Sequence, residues 1–379
     1  MNSHRSLVGC LLGTAVGDAL GLPYEGLTPS RARRMLGEPN RYRFLLGRGM
    51  VSDDTENACL TLAAYLESQA ALGDLTETQR HGGKEALVFR KSLARRLRWW
   101  LAAMPAGMGL ATLRSVLRLW FGVSPQRSGV WSAGNGAAMR AGVLGVAIDD
   151  LDVLREFVLA STVMTHRDPR AFYGALAIAV AAHLASRRET ALAEEFLETF
   201  STLSLSEPHT AGLASSGTPV VDSHEEAARE GGAEMLRLLK LSVDSAARGE
   251  SVEEFAKALG LARGVSGFVN HTVPVVIAAW LRYPRDFDGA VQSVIRCGGD
   301  ADTTAALVGG IVGAAVGREG ISERWINGLL EWPRTALWME RLANEEKQVE
   351  VFWLGQVCRN LVFLVVVLLH GFRRLLPPW

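Results

Sequence analysis

No CxxC pair occurs in this 379-residue chain, and its four cysteines, Cys10, Cys59, Cys297 and Cys358, stand far apart. That spacing argues against a zinc ribbon or a disulfide scaffold and makes a reducing cytosol, hence a cytoplasmic location, the default. Net charge is missing as well. Lys+Arg and Asp+Glu are both 40, which argues against a protein whose main business is coating nucleic acid or an anionic membrane. There is no GxGxxG turn after a strand pattern and no P-loop lysine, so no nicotinamide or nucleoside-triphosphate site is indicated. Runs of alternating strands and fixed-period repeats are absent. So is an unbroken membrane-length run. Leu361 to Leu369 is apolar for nine residues, but His370, Arg373 and Arg374 close it well short of the roughly 20 that spanning needs. A buried terminal helix is expected there. Leu7 to Val16, behind His4 and Arg5, imitates a secretory signal but reads as a buried N-terminal helix.

What is present reads as helix. Hydrophobic residues make up 48% of the chain, enough for a large core. Leu7, Leu11 and Val16, then Leu60, Ala63, Ala64 and Leu66, recur at helical spacing. Asp168-Pro169 is a helix start, with Asp as N-cap and Pro at the first helical position, leading into Phe172 to Leu184. Ser223 with Glu226 forms a capping box before a helix ending near Leu241. Ser201 to Val221, rich in Ser, Thr, Gly and Pro, reads as a flexible loop. At about 150 residues per domain the length suggests two or three units. The apolar helices on both sides of the loop need each other for burial, so one all-α domain over residues 1–379 is expected, with an accessory helical segment at 320–379.

From Ala86 to Ile148 the chain has no Asp or Glu but nine basic residues: Arg90, Lys91, Arg95, Arg96, Arg98, Arg114, Arg118, Arg127 and Arg140. Such a tract can face an anion, or can be the solvated face of ordinary helices; the second reading is preferred. Trp99, Trp100, Trp120, Phe121 and Trp131 lie in the same tract. Aromatics among arginines can stack bases, but at helical spacing beside Leu they read as core.

Two acidic motifs carry the chemistry. Ser52-Asp53-Asp54-Thr55-Glu56 and Gly298-Gly299-Asp300-Ala301-Asp302-Thr303-Thr304 each stand directly before a helical run. One carboxylate at a helix N-terminus is explained by capping and the dipole. Adjacent Asp53-Asp54 and alternating Asp300-Asp302 are not, because two carboxylates in one turn repel unless a cation intervenes. Ser, Thr and Asp offer only oxygen, which suits Mg²⁺, Mn²⁺ or Ca²⁺. Together the motifs point to a paired-metal site with ions ~3.5–4 Å apart. Three further segments complete a candidate pocket. Asp18 and Glu25 sit where a helix gives way to a Gly/Pro turn. Gly134-Asn135-Gly136 can form a phosphate-binding nest. His166 lies in the polar turn Thr165-His166-Arg167-Asp168, whereas His183 and His370 fall on apolar segments and read as structural.

The ordered set GDALGLPYE, SDDTE, GNGAAMR, THRDP and GGDADTT resembles the ADP-ribosylglycohydrolase family, the group containing the dinitrogenase reductase-activating glycohydrolase. The motifs run from Gly17 to Thr304. The resemblance implies an all-α orthogonal multi-helix fold around a central dinuclear site holding two Mg²⁺ or Mn²⁺ ions. Its metal ligands would be Ser52, Asp53, Asp54, Asp300, Asp302 and Thr303; many relatives have Thr where Ser52 stands. Glu25 matches the family's mobile catalytic glutamate. Gly134, Asn135, Gly136, His166, Gly298 and Gly299 match positions that hold ribose and diphosphate. Some relatives place an acid just before the GNG turn, where this sequence has Trp131-Ser132-Ala133. The expected activity is N- or O-glycosyl hydrolysis of an ADP-ribosylated protein or small ADP-ribose conjugate, with no specific nucleic-acid or membrane partner. The rival readings are a catalytically silent relative that binds ADP-ribose or serves a structural role, and a nucleic-acid module built on the basic tract.

Overall fold

Local chemistry sets the helix boundaries. A computed structural model describes residues 3–72, 84–188, 193–205, 221–345 and 351–375. The first half carries α1 (Ser3–Gly21), α2 (Pro29–Leu36), α3 (Asp53–Leu72), α4 (Lys84–Ala102), α5 (Leu110–Trp120), α6 (Gly142–Ala147), α7 (Leu151–Val163) and α8 (Pro169–Arg187). The second half carries α9 (Ala193–Leu205), α10 (Val221–Ala247), α11 (Val252–Ala258), α12 (Val269–Arg282), α13 (Phe287–Arg296), α14 (Ala301–Val316), α15 (Glu323–Ile326), α16 (Ala336–Ala343) and α17 (Trp353–Arg373). Asp168 caps α8 through the Arg170 N–H, with Pro169 at the first helical position. Ser251 and Glu254 make a reciprocal capping box on α11. Isolated bridges are the only extended pairing among the described residues, and the fold is all-α.

Two buried apolar helices, α1 and α14, cross at the centre because glycine lets them. Gly9, Gly13, Gly17 and Gly21 repeat every four residues and so form one stripe of α1. That stripe lies on α14 running the opposite way. A Cβ at Gly9 would meet Gly313 O at 2.1 Å, at Gly13 Gly309 O at 2.1 Å, at Gly17 Ala305 O at 2.1 Å and at Gly21 Ala301 O at 2.3 Å. Backbone thus packs on backbone, a contact no side chain but hydrogen permits. The antiparallel crossing brings the C-terminal end of α1 beside the N-terminal end of α14. One hydrophobic cluster runs from Leu7 to Ala343 around this pair.

Several expectations change. Residues 201–205 belong to α9, and 206–220 lie outside the described residues, as does the side chain of Ser223. The helix expected to end near Leu241 continues to Ala247. In the basic tract, four of the eight arginines serve internal bonds. Arg140 is buried, Arg95 and Arg96 pair with Glu67, and Arg118 donates to the carbonyls of Gly129 and Arg127. Of the tract's six aromatics Phe89 and Trp100 are core; Trp99, Trp120, Phe121 and Trp131 are exposed.

The terminal apolar run is not a buried helix. In α17 the polar residues Gln356, Arg359, Asn360 and His370 face inward, while Leu361, Val362, Leu364, Val365, Leu368 and Leu369 are exposed. The inward polar groups are satisfied by the rest of the protein: Asn360 donates to Ala103 O at 2.8 Å, and Arg359 pairs with buried Glu331. Those bonds decide the helix's orientation. Within the run, Phe363 packs on Leu22 and Met50 beside them.

Candidate active site

The site forms where α1, α3 and α14 begin or end against one another. Asp18, on the last turns of α1, is fully buried and accepts from the Ser52 N–H at 2.9 Å, the Thr55 N–H at 3.2 Å and the Thr55 hydroxyl at 2.6 Å. It therefore caps α3 from another helix and fixes the Ser52–Thr55 turn. Burial raises its pKa to about 7, with those hydrogen bonds pulling it back.

The two acidic motifs meet on Asp54. Its Oδ2 accepts from Ser52 Oγ at 3.2 Å and from Thr303 Oγ1 at 3.1 Å. Its Oδ1 is buried without a partner. Asp302 is buried and Asp53 half-buried. Desolvation raises the carboxyls of Asp53, Asp54 and Asp302 well above the usual range, and neighbouring acids add to the shift: chiefly Asp18 for the first two and Glu25 for Asp302. Among the described residues no three His, Cys, Asp or Glu side chains converge as a preformed metal cluster. The convergence here is of carboxylates with hydroxyls. An all-oxygen donor set with an orphaned buried carboxylate oxygen fits a hard divalent cation.

Asn135 closes one side, its Nδ2 donating to Asp300 Oδ2 at 2.6 Å and to Thr272 Oγ1 at 3.0 Å. The GNG segment is a 3₁₀ turn, Asn135–Arg140, rather than the start of an α-helix. His166 is buried beneath it: a Cβ at Gly136 would lie 2.9 Å from His166 Cε1. Burial and the Arg140 charge lower the His166 pKa to about 3, so the ring is neutral. Thr165 Oγ1 accepts from Arg140 at 2.6 Å and stands 2.8 Å from His166 Nδ1. Donation from that hydroxyl to Nδ1 leaves the ring proton on Nε2.

Gly298 and Gly299 both have positive φ, +67° and +79°, and a Cβ at Gly299 would fall 1.9 Å from Val265 O. Their role differs from a phosphate nest. The Gly298 N–H donates to Ile295 O at 3.0 Å and the Gly299 N–H to Leu27 O at 2.8 Å. The Asn135 N–H likewise donates to Gly267 O at 3.0 Å, and the Gly134 N–H to Ser132 Oγ at 3.2 Å. These N–H groups knit loops together and are not aimed outward at an anion. Glu25 follows the 3₁₀ turn Leu22–Tyr24 and is exposed at the rim. Surrounding protein and the Asp300 charge raise its carboxyl pKa, and Arg374 pulls it back.

A family model described as ADP-ribosylglycohydrolase matches residues 2–356. The chain belongs to the ADP-ribosylglycohydrolase family. It is 28% identical over 353 residues to the ADP-ribosylhydrolase ARH3 of Bos taurus, covering 84% of this chain and 86% of that protein. It is 24% identical over 338 residues to the ADP-ribosyl-[dinitrogen reductase] glycohydrolase of Rhodospirillum rubrum, covering 86% and 90%. A solved structure titled ADP-ribosylglycohydrolase-related protein complex shares the fold. Its TM-score is 0.56 at 22% identity, covering 90% of this chain and 97% of that one.

Three further residues have parts that their local sequence does not announce. Asp18 caps α3 from α1, a contact between two helices that has no local signal. Glu56, beside the paired aspartates, turns away from them, accepting from Trp100 Nε1 at 2.7 Å and Arg334 Nη1 at 3.1 Å. Arg140, one of the nine basic residues read as a solvated helical face, is instead buried and ties the GNG turn to Ser161 and Thr165. Its spacing of four after Gly136, whose carbonyl it holds at 3.0 Å, is the signal that could have found it.

Proposed function

We propose that this chain is a divalent-cation-dependent hydrolase cleaving the N- or O-glycosidic bond at the distal ribose of an ADP-ribosyl group, on a protein side chain or a small conjugate. One observation carries the reading: Thr303 of the second acidic motif donates to Asp54 of the first at 3.1 Å, in a buried cluster whose carboxyls need a counter-charge. Ser52, Asp53, Asp54, Asp300, Asp302 and Thr303 would hold two Mg²⁺ or Mn²⁺ ions. Such ions supply that counter-charge, bind ribose hydroxyls and lower the pKa of bound water.

The remaining work falls to the chain's own residues. Cleavage passes through an oxocarbenium-like ribose. Glu25, at the rim with a raised pKa, is placed to take the proton that the attacking water or a ribose hydroxyl loses. Asn135, held between Asp300 and Thr272, fixes Asp300 without adding charge. His166 stays neutral and offers Nε2–H as a hydrogen-bond donor to a sugar oxygen. Asp18 keeps the Ser52–Thr55 turn in place.

The test is to incubate the protein with peptides carrying ADP-ribose on Ser or on Arg, and with acetylated ADP-ribose, with and without Mg²⁺ or Mn²⁺. Release of free ADP-ribose that stops on chelation is expected. ADP-ribose binding without release from any of these substrates would favour the silent relative.

A further inference from the structure

The family match ends at residue 356, four residues into α17, so nearly all of that helix and the turn after it lie beyond it. This segment reaches back to the site at two places. Near its start, Arg359 donates to Val51 O at 2.5 Å and pairs with Glu331, which accepts from the Val51 N–H at 2.8 Å. Val51 directly precedes the Ser52-Asp53-Asp54 turn. At its end, His370 Nε2 lies 3.0 Å from Pro23 O. Arg374 donates through Nη2 to Pro23 O at 3.1 Å and through Nη1 to Glu25 O at 2.6 Å. Arg31 of α2 in turn donates to the Arg374 carbonyl.

One guanidinium therefore grips both carbonyls that bracket Tyr24, and the second belongs to Glu25 itself. The next residue, Gly26, has φ +72°, and its ideal Cβ would lie 3.8 Å from Arg374 Nη1. The head group thus sits over the glycine joint of the turn. The joint's far side is tied too: the Gly26 N–H donates to Gly299 O at 2.6 Å. Burying an arginine is costly, and Arg374 Nε has no partner. The same helix packs Phe363 on Leu22 and Met50 but leaves Phe372 and Leu375, the apolar neighbours of this end, in solvent, so polar contacts hold the Arg374 end on the protein.

We propose that Arg374 is a positioning residue for Glu25, fixing the Pro23–Gly26 turn so that the carboxylate stands at the rim of the acidic cluster. A segment outside the family match thereby completes the catalytic turn. The proposal rests on the reading of Glu25 as the catalytic carboxylate. An arginine fork can hold two carbonyls at once, whereas a lysine can hold one with a flexible point charge. Displacing a reacting group by about 1 Å costs on the order of 10²-fold in rate.

The experiment compares full-length Arg374→Ala, Arg374→Lys, Arg373→Ala and Glu25→Gln with the parent. Turnover is measured on the Ser- and Arg-linked ADP-ribosyl peptides, ADP-ribose affinity by calorimetry, and amide exchange over residues 23–27 by mass spectrometry. Arg374→Ala is expected to lower kcat by roughly 10–100-fold while KM and ADP-ribose Kd stay within about threefold. Exchange at Gly26 and Leu27 should quicken, and Lys should restore part of the loss. Arg373→Ala, changing an exposed neighbour, should match the parent. Unchanged exchange over 23–27 in Arg374→Ala overturns the proposal whether or not a substrate is cleaved. So does unchanged kcat beside an inactive Glu25→Gln, or a joint loss of kcat, ADP-ribose affinity and melting temperature that Lys does not relieve. Full turnover by Glu25→Gln would instead remove the catalytic reading on which the positioning depends.

Discussion

Gly17→Ala adds a single methyl group at the α1–α14 crossing, one residue before Asp18. The new Cβ would stand 2.1 Å from Ala305 O, 2.6 Å from Ala305 C and 3.1 Å from Ala306 N. Ordinary non-bonded contacts lie near 3.5 Å, so the helices must part by about 1 Å. No side chain can rotate away, because every obstructing atom is backbone. Overpacking of this kind costs about 1–3 kcal/mol. Replacing glycine by alanine inside a helix returns up to ~1 kcal/mol. The net expectation is a loss of about 1–2 kcal/mol, with turnover falling as well because Asp18 and Asp302 are drawn apart. Gly371→Ala on α17 is the matched control: its Cβ meets nothing within 4 Å. It should gain about 0.4–1 kcal/mol. Urea-denaturation midpoints at equal slope measure both. A Gly17→Ala protein as stable as Gly371→Ala, with parental turnover, would refute the backbone-contact account of the crossing.

Four other outcomes are expected. Asp302→Asn should bind one Mn²⁺ fewer by calorimetry than the parent and lose turnover by orders of magnitude; full stoichiometry would remove Asp302 from the ligand set. Glu25→Gln should keep ADP-ribose affinity within roughly tenfold, about 1.4 kcal/mol, while turnover falls by ~10² or more, read by titration and steady-state kinetics. The pKa of Asp18 is raised to about 7, and those of Asp53, Asp54 and Asp302 well above their usual value of 3.8. The metal-free folded state therefore holds protons that the unfolded chain has lost, and its stability declines as pH rises through those folded-state values. Mg²⁺ or Mn²⁺ displaces these protons, so the rise in melting temperature on adding cation should grow between about pH 5 and 8; a pH-independent rise would contradict the clustered-carboxyl picture. Binding to a 20-nucleotide DNA or RNA at about 150 mM salt should be no tighter than ~10⁻⁶ M, since Arg95, Arg96, Arg118 and Arg140 of the basic tract are spent on internal bonds.

What could be read along the chain were features made by neighbours in sequence. The Asp168-Pro169 start of α8 needed only residues 168–170, and it formed as its chemistry dictates. Asp53-Asp54 and Asp300-Asp302 each announced an excess of carboxylate over what one helix start can use. The apolar stretch at Leu7 to Val16 announced a buried helix, and α1 is buried from Ser6 to Gly21. Tertiary structure decided which groups meet. Thr303 reaches Asp54 because glycines on α1 and α14 allow their backbones to touch, and a stripe of glycines carries no hint of its partner's direction. Glu56 was indistinguishable from its acidic neighbours, yet 3.6-residue periodicity points it toward Trp100 and Arg334, away from them. The sharpest divergence is α17. Hydropathy counts apolar residues and expects them inside. Buried polar groups, however, must find partners, and those of Gln356, Arg359 and His370 lie on α3, on the residue Val51 just before it and on the turn after α1. That requirement turned the helix over, and it depends on residues some 300 positions away in sequence.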